Sequence, residues 1–278
     1  MSETPEPGKI GVWIGRPPSR ELAAAVEDLG FGAIWIGGSQ GGDLDGVERT
    51  LAATIRLTVA TGIVNIWKDD PATIAASYHR LADAYPGRFL LGIGAGHPET
   101  ASQYAKPYDA LVRYLDALDA AGVPPSQRAL AALGPKVLRL AAERTAAAHP
   151  YLVTPEHTRQ ARALLGTNVL LAPEQHVVLD ADPTRARELA RNALRPYLGL
   201  TNYTTNWRRL GFTDDDMAGT GSDRLVDGLV ALGDAQQVAA RITAHLHAGA
   251  DHVCIQLVTP KGANPLPGLT DLADVLIT

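Results

Sequence analysis

Cysteine is almost missing from this 278-residue chain. Its one example, Cys254, excludes an internal disulfide and a cysteine-built zinc cluster, and points to a reducing, cytoplasmic setting. Long apolar runs are missing too. No stretch approaches the ~18 residues of a membrane span, and the opening MSETPEPGK is acidic and polar, which sets aside membrane and secretory readings. There is no dense basic stripe: 25 Lys+Arg stand against 30 Asp+Glu, a net charge of −5, so nucleic acid is a poor partner. What is present is a 46% hydrophobic chain with 27 Gly and 19 Pro dispersed along it, the mark of many turns rather than disorder. That leaves a soluble, globular, intracellular protein whose length suits a single domain over 1–278.

The apolar segments are short and nearly uninterrupted, as strands are when both sheet faces are covered. They fall at 9–15, 32–38, within 56–67, and at 88–96, 128–134, 149–153, 175–180 and 252–258. Helical stretches alternate with them. Ser19 caps one that stops at Gly30; Asp70 and Pro71 open 71–85; Pro135 opens the next; 155–165, 183–198 and a last one from Gly233-Asp234 to His247 follow. Alternation from start to finish argues for parallel strands with right-handed crossovers. Eight strands in roughly 250 residues predict an α/β (β/α)8 TIM barrel, with an open Rossmann-like sheet as the runner-up. The tract 199–232 reads as a short helical insertion before the final unit.

In a barrel, ligands meet the C-terminal strand ends. GIGAG (92–96) lacks the third glycine and the helix opening of a dinucleotide fingerprint, so its glycines read as sites of close approach. His97 follows it and is a candidate proton donor or acceptor, with Glu99 nearby. No His/Cys/Asp spacing supports a metal site, and His245 and His247 read as partners of their helix C-terminus. Ser39 has no nucleophile-elbow context, and His149 beside Pro150 reads as structural before catalytic. Gly134-Pro135-Lys136-Val137 is a strand end running straight into a helix, where first-turn amides and Lys136 can hold a phosphate.

Taken together, LGFGAIWIGGS, residues 61–96, LAALGPKVLRLAAERTAAAHPYLVTPEHT and the closing segment 233–256 resemble the bacterial luciferase-like flavin and deazaflavin oxidoreductases. The resemblance implies a (β/α)8 barrel and a cofactor, either FMN or the deazaflavin coenzyme F420. The TGIVN segment and the glycine-proline-basic turn look like the F420 branch, typical of actinobacteria and methanogens. It implies a small-molecule substrate, hydride transfer and a homodimer. The alternatives are an FMN-dependent monooxygenase and a barrel that binds its cofactor without turnover. The implied ring site is Gly62, Ile63 and Asn65, with a cis peptide at Gly62-Ile63; the tail runs past Gly94, Ala95 and Gly96 to Gly134, Pro135, Lys136 and Val137. Trp13, Trp67 and Tyr104 wall the substrate side, with His97 and Ser39 as candidate catalytic groups. The family's glucose-6-phosphate dehydrogenases have an acid–histidine pair and a glutamate where this chain has Gly38-Ser39 and His97, so their substrate is not carried over. The insertion after the fourth strand is also shortened.

Overall fold

The computed structural model describes residues 4–38, 41–96 and 106–277; Ser39, His97, Glu99 and Tyr104 lie outside them. Three strands, β1 (Ile10–Ile14), β2 (Ala33–Gly37) and β3 (Thr58–Gly62), pair in parallel. Next come β4 (Val64–Asn65), β5 (Phe89–Gly94), β6 (Arg128–Leu130), β7 (Ala147–Ala148), β8 (Leu170–Leu171) and β9 (Glu174–Leu179). Two more, β10 (Val230–Gly233) and β11 (Val253–Leu257), complete the sheet. β11 pairs with β1 in parallel, Ile10 opposite Val253, and with β9 on its other side.

The ring closes at Ala172-Pro173. The Ala172 amide donates to Ala148 at 2.9 Å, while the Pro173 carbonyl accepts from Cys254 at 2.9 Å. β8 and β9 are therefore one barrel stave, interrupted at a proline that has no N–H to give. Closure excludes the open sheet. It also moves two expected strands: the seventh starts at Leu170, and the sixth is Ala147–Ala148 rather than 149–153. Pro150 lacks a donor and Leu152 takes a left-handed φ of 53°, so the chain leaves the ladder there.

Helices cover the outside. Ser19 caps α1 (Arg20–Asp28) by accepting from Leu22 at 3.2 Å. After α2 (Asp45–Ala52), Asp70 caps α3 (Pro71–Ala84) by accepting from Ala72 and Thr73 at 3.1 Å. Then follow α4 (Pro107–Ala120), α5 (Pro135–Arg144), α6 (Pro155–Leu165) and α7 (Pro183–Leu194). The tract after α7 holds the expected short helices, α8 (Thr201–Arg209), α9 (Asp214–Met217) and α10 (Asp223–Leu229). It then adds a strand that the sequence pattern hid, β10, which extends the sheet beyond β9. α11 (Ala235–His247) precedes β11, and α12 (Leu266–Leu276) follows it. The chain ends meet the N-terminal side: Glu6 accepts from the Thr58 hydroxyl at 3.2 Å, and Ile277 packs at Gly30. No helix among the described residues is long and apolar enough to cross a membrane.

The lumen is lined mainly by small side chains, Ala33, Ala60, Ala129, Ala147, Ala172 and Cys254, and Trp35 fills it. His149 stacks on Trp35 with centroids 4.2 Å apart, and Trp35 Nε1 donates to His252 Nε2 at 3.1 Å. His245, in the last turn of α11, is fully buried and its ring bonds to other elements rather than to its helix C-terminus: Nδ1 accepts from the Thr158 hydroxyl (2.8 Å) and Nε2–H donates to Gln175 (2.9 Å). Desolvation pushes His149 and His252 down to about 4 and His245 down to about 3. These histidines stay neutral in the fold, whereas in the unfolded chain they protonate near 6.5. Their contribution is present above that pH and is lost as pH falls from there toward the folded values. The urea midpoint is expected to drop between pH 7 and pH 5, with proton uptake on unfolding; an unchanged midpoint would contradict this.

Candidate functional site

Three neighbouring strand ends build the mouth. Val59 and Ala60 of β3 face Phe89 and Leu90 of β5, but Val64 of β4 next faces Ile93. One extra residue on the β3–β4 side makes a bulge, and the Gly62-Ile63 peptide within it is cis, as the resemblance implies. Below the bulge the Thr61 hydroxyl replaces the ladder. It donates to the Gly92 carbonyl and accepts from the Gly92 amide, each at 2.8 Å.

Beyond the bulge, Asn65 Oδ1 accepts from the Trp67 amide at 3.0 Å, and Trp67 Nε1 donates to the Ala95 carbonyl at 2.6 Å. A Cβ on Gly94 would lie 2.9 Å from Ile63 and 3.0 Å from Ala131; one on Gly96, whose φ is +59°, would lie 2.6 Å from Asn65 Nδ2. These glycines let β4, β5 and the segment after β6 touch. Trp13 crosses Gly37 and approaches Gly62, where a Cβ would lie 2.8 Å from its Nε1. The structure thus brings Trp13, Gly62, Ile63, Asn65, Trp67, Gly94, Ala95 and Gly96 to one place. Gly62, Ile63, Ala95 and Gly96 are partly exposed there.

From Gly94 the surface leads past Ala131 to the α5 N-terminus. The Val137 amide, expected to point outward, instead donates to Gly134 O at 3.1 Å, closing the first turn. Lys136 Nζ stands 3.6 Å from the Tyr108 ring centroid, on α4. Arg209, at the end of α8, comes within 3.2 Å of the point where a Gly134 Cβ would sit. It is a second exposed cation that sequence order alone did not bring to this turn.

Residues 15–252 match the family model described as luciferase-like monooxygenase. The chain belongs to that family. A comparison with curated protein sequences finds no match. Among solved structures, it is similar to an F420-dependent secondary alcohol dehydrogenase in complex with an F420-acetone adduct (16% identity, 97% of this chain and 98% of that one covered, TM-score 0.73). It is also similar to a coenzyme F420-dependent tetrahydromethanopterin reductase from Methanopyrus kandleri (14%, 98% and 99%, 0.69). A third is the FMN-bound oxygenating constituent of 3,6-diketocamphane monooxygenase from Pseudomonas putida (15%, 98% and 98%, 0.68). At such identities the likeness is one of fold.

Across the mouth, this luciferase-like barrel carries a polar group that the sequence reading passed over. Glu174 and His176 are both essentially fully buried, with His176 Nδ1 2.6 Å from Glu174 Oε1. Glu174 Oε2 accepts from the Leu152 amide at 3.1 Å. The Tyr151 hydroxyl donates to Gln256 Oε1 at 2.8 Å and, its one proton used, accepts from Tyr197 at 3.0 Å. Burial first, then the Glu174 charge, holds Tyr151 well above its ordinary pKa, so it stays a protonated donor. Tyr151 also packs on Trp13, ring centroids 5.5 Å apart, which joins this group to the glycine side. The signal was the polar Glu174-Gln175-His176 run opening an otherwise apolar strand. A cavity of about 380 Å³ lies outside the barrel by β10, but Arg187 and Asp227 pair there and Arg241 is bonded to backbone carbonyls. Its charges are already satisfied, and the mouth is the better site. Among the described residues no His/Cys/Asp/Glu group is placed to hold a metal ion.

Proposed function

We propose that this luciferase-like protein transfers hydride between coenzyme F420 and a small organic substrate. One observation carries the reading: a partly exposed patch, Gly62, Ile63, Ala95 and Gly96, that runs on to a helix N-terminus flanked by Lys136 and Arg209. A planar ring suits the first part, where few side chains stand in the way, with Asn65 at its polar edge. An anionic tail suits the second, where the first turn of α5 and two cations meet. When bound, a deazaflavin supplies a ring carbon that exchanges hydride and reacts little with oxygen. The chain's own part is to orient the ring, hold the tail, and exclude water with Trp13 and Trp67. His97, with Ser39 second, is the proposed proton donor, and the same proposal has a cytoplasmic homodimer.

Fluorescence titration with F420 and with FMN tests the assignment. Micromolar or tighter F420 binding, stable in air, is expected. Tight FMN binding with rapid oxygen uptake would replace it by the monooxygenase reading, and binding without turnover of any substrate by the non-catalytic one. Lys136→Ala is expected to weaken the tailed cofactor by about 1–2 kcal/mol, the scale of one charge-assisted bond, and to leave a tail-less fragment unaffected. Equal weakening of both would place the tail elsewhere.

A further inference from the structure

The Glu174–His176 pair takes no part in orienting the ring or holding the tail. β11 sets Cys254 opposite Glu174 and Gln256 opposite His176. Cys254 lines the lumen, so Glu174 beside it points inward, and two residues on His176 does the same. Both are sealed, 0% and 1% exposed. Both carboxylate oxygens accept, one from the Leu152 amide and one from the imidazole. The proton between them therefore sits on Nδ1, and Nε2 is left as the basic nitrogen. A negative charge is buried here, and its one charge partner among the described residues is this neutral imidazole. Buried charges ordinarily have a countercharge.

The surrounding groups cannot supply one. Tyr151, after β7, stands edge-on to the imidazole with centroids 5.5 Å apart, and Tyr197, after α7, does so at 6.5 Å. Tyr203 of α8 packs on both tyrosines. Burial first, and the Glu174 charge with it, raises all three tyrosines and Cys254, so each keeps its proton at neutral pH. His149, bonded to the Ala172 carbonyl two residues before Glu174, stays neutral through burial. Gln256 does not titrate, and β10 places only Val230 opposite His176. Near neutral pH, Glu174–His176 is the one member of this set that can change its proton count.

We infer that Glu174–His176 regulates charge beside the ring: His176 takes up a proton at Nε2 when negative charge enters the mouth, and releases it when that charge leaves. The inference rests on the ring reading of this mouth and adds its regulation. A hydride is a proton with two electrons, so a ring that gains one gains a negative charge unless a proton follows. Uptake of one proton turns Glu174 and His176 into a neutral ion pair, and the buried charge no longer opposes the ring. Trp13, at the ring site, and His176 each stand 5.5 Å from Tyr151, centroid to centroid. Over roughly 10 Å, at an effective dielectric of about 20, one negative charge raises the proton affinity of His176 about tenfold. His176 acts through this charge, so it is a positioning residue, distinct from the proton donor proposed above.

The test counts protons. The full chain is titrated anaerobically with reduced F420 in a calorimeter, in phosphate and in Tris, across the neutral pH range. Wild type is expected to take up about half a proton more than His176→Gln where uptake peaks, the amount that a tenfold change in proton affinity gives. Glu174→Gln keeps an acceptor for His176 but leaves an imidazolium without its carboxylate, and is expected to lose the same excess. On wild type alone, which serves if neither variant folds, 15N NMR is expected to show the His176 Nε2 resonance moving to its protonated position as reduced F420 binds. An imidazole already carrying both protons in the free protein at neutral pH, or uptake that His176→Gln leaves unchanged, overturns the inference. F420 binding without the uptake sinks the role of the pair alone. Uptake with reduced FMN and no binding of F420 sinks the cofactor reading instead, and binding of neither overturns both.

Discussion

Gly92→Ala is expected to destabilise the protein by about 3 kcal/mol, at the upper end for overpacking a core. The new Cβ would press into the Thr61 carbonyl oxygen, and that oxygen belongs to strand backbone, which cannot swing aside like a side chain. Relief requires β3 and β5 to part at the level where they are joined only through the Thr61 hydroxyl. Both backbone groups of Gly92 then lose their partner, and the bulge that carries Gly62 and Ile63 moves with them. Urea denaturation reads the loss as a lower midpoint, and a cost under about 1 kcal/mol would show that the strands are not held this closely.

Glu174→Ala is expected to cost about 2–5 kcal/mol, the scale of leaving two buried donors without an acceptor. The carboxylate is fully buried, and it satisfies both His176 and the Leu152 amide. Leu152 sits in a left-handed conformation that its side chain disfavours, so its amide bond to Glu174 helps to hold a costly turn. Glu174→Gln keeps an acceptor oxygen and is expected to recover more than half of the loss. If glutamine proves as damaging as alanine, charge rather than hydrogen bonding is what this position supplies.

Local signals were read correctly where a single segment contains its own cause. Ser19 and Asp70 cap helices because each has a side-chain oxygen beside unpaired first-turn amides. Pro135 starts α5 for a similar local reason. The alternation of short apolar runs with helices was enough for parallel strands with crossovers and favoured a barrel, while the closure at Ala172-Pro173 decided against the open sheet. The cluster of Gly62, Asn65, Gly94 and Gly96 was legible through its resemblance to a family, and geometry then joined the segments.

Other features have causes that lie far off in the chain. Leu170–Leu171 became strand because the Ala146 and Ala148 carbonyls accept from Leu170 and from Ala172 just beyond it, and Val230–Gly233 because β9 had a free edge. Arg209 reached the α5 turn only through the packing of α8. Trp13, His149, Glu174 and Gln256 meet only when the ring closes. Here the sequence is silent for a definite reason: strands of a barrel are buried on both faces, toward helices and toward lumen, so no polar alternation marks which residues turn inward. The chain by itself determined parallel strands alternating with helices, a strand count that favours a barrel, the helix caps and the glycine-rich strand ends. Tertiary structure alone decided which polar groups share the lumen, because burial on both sides erases the pattern that would have told them apart.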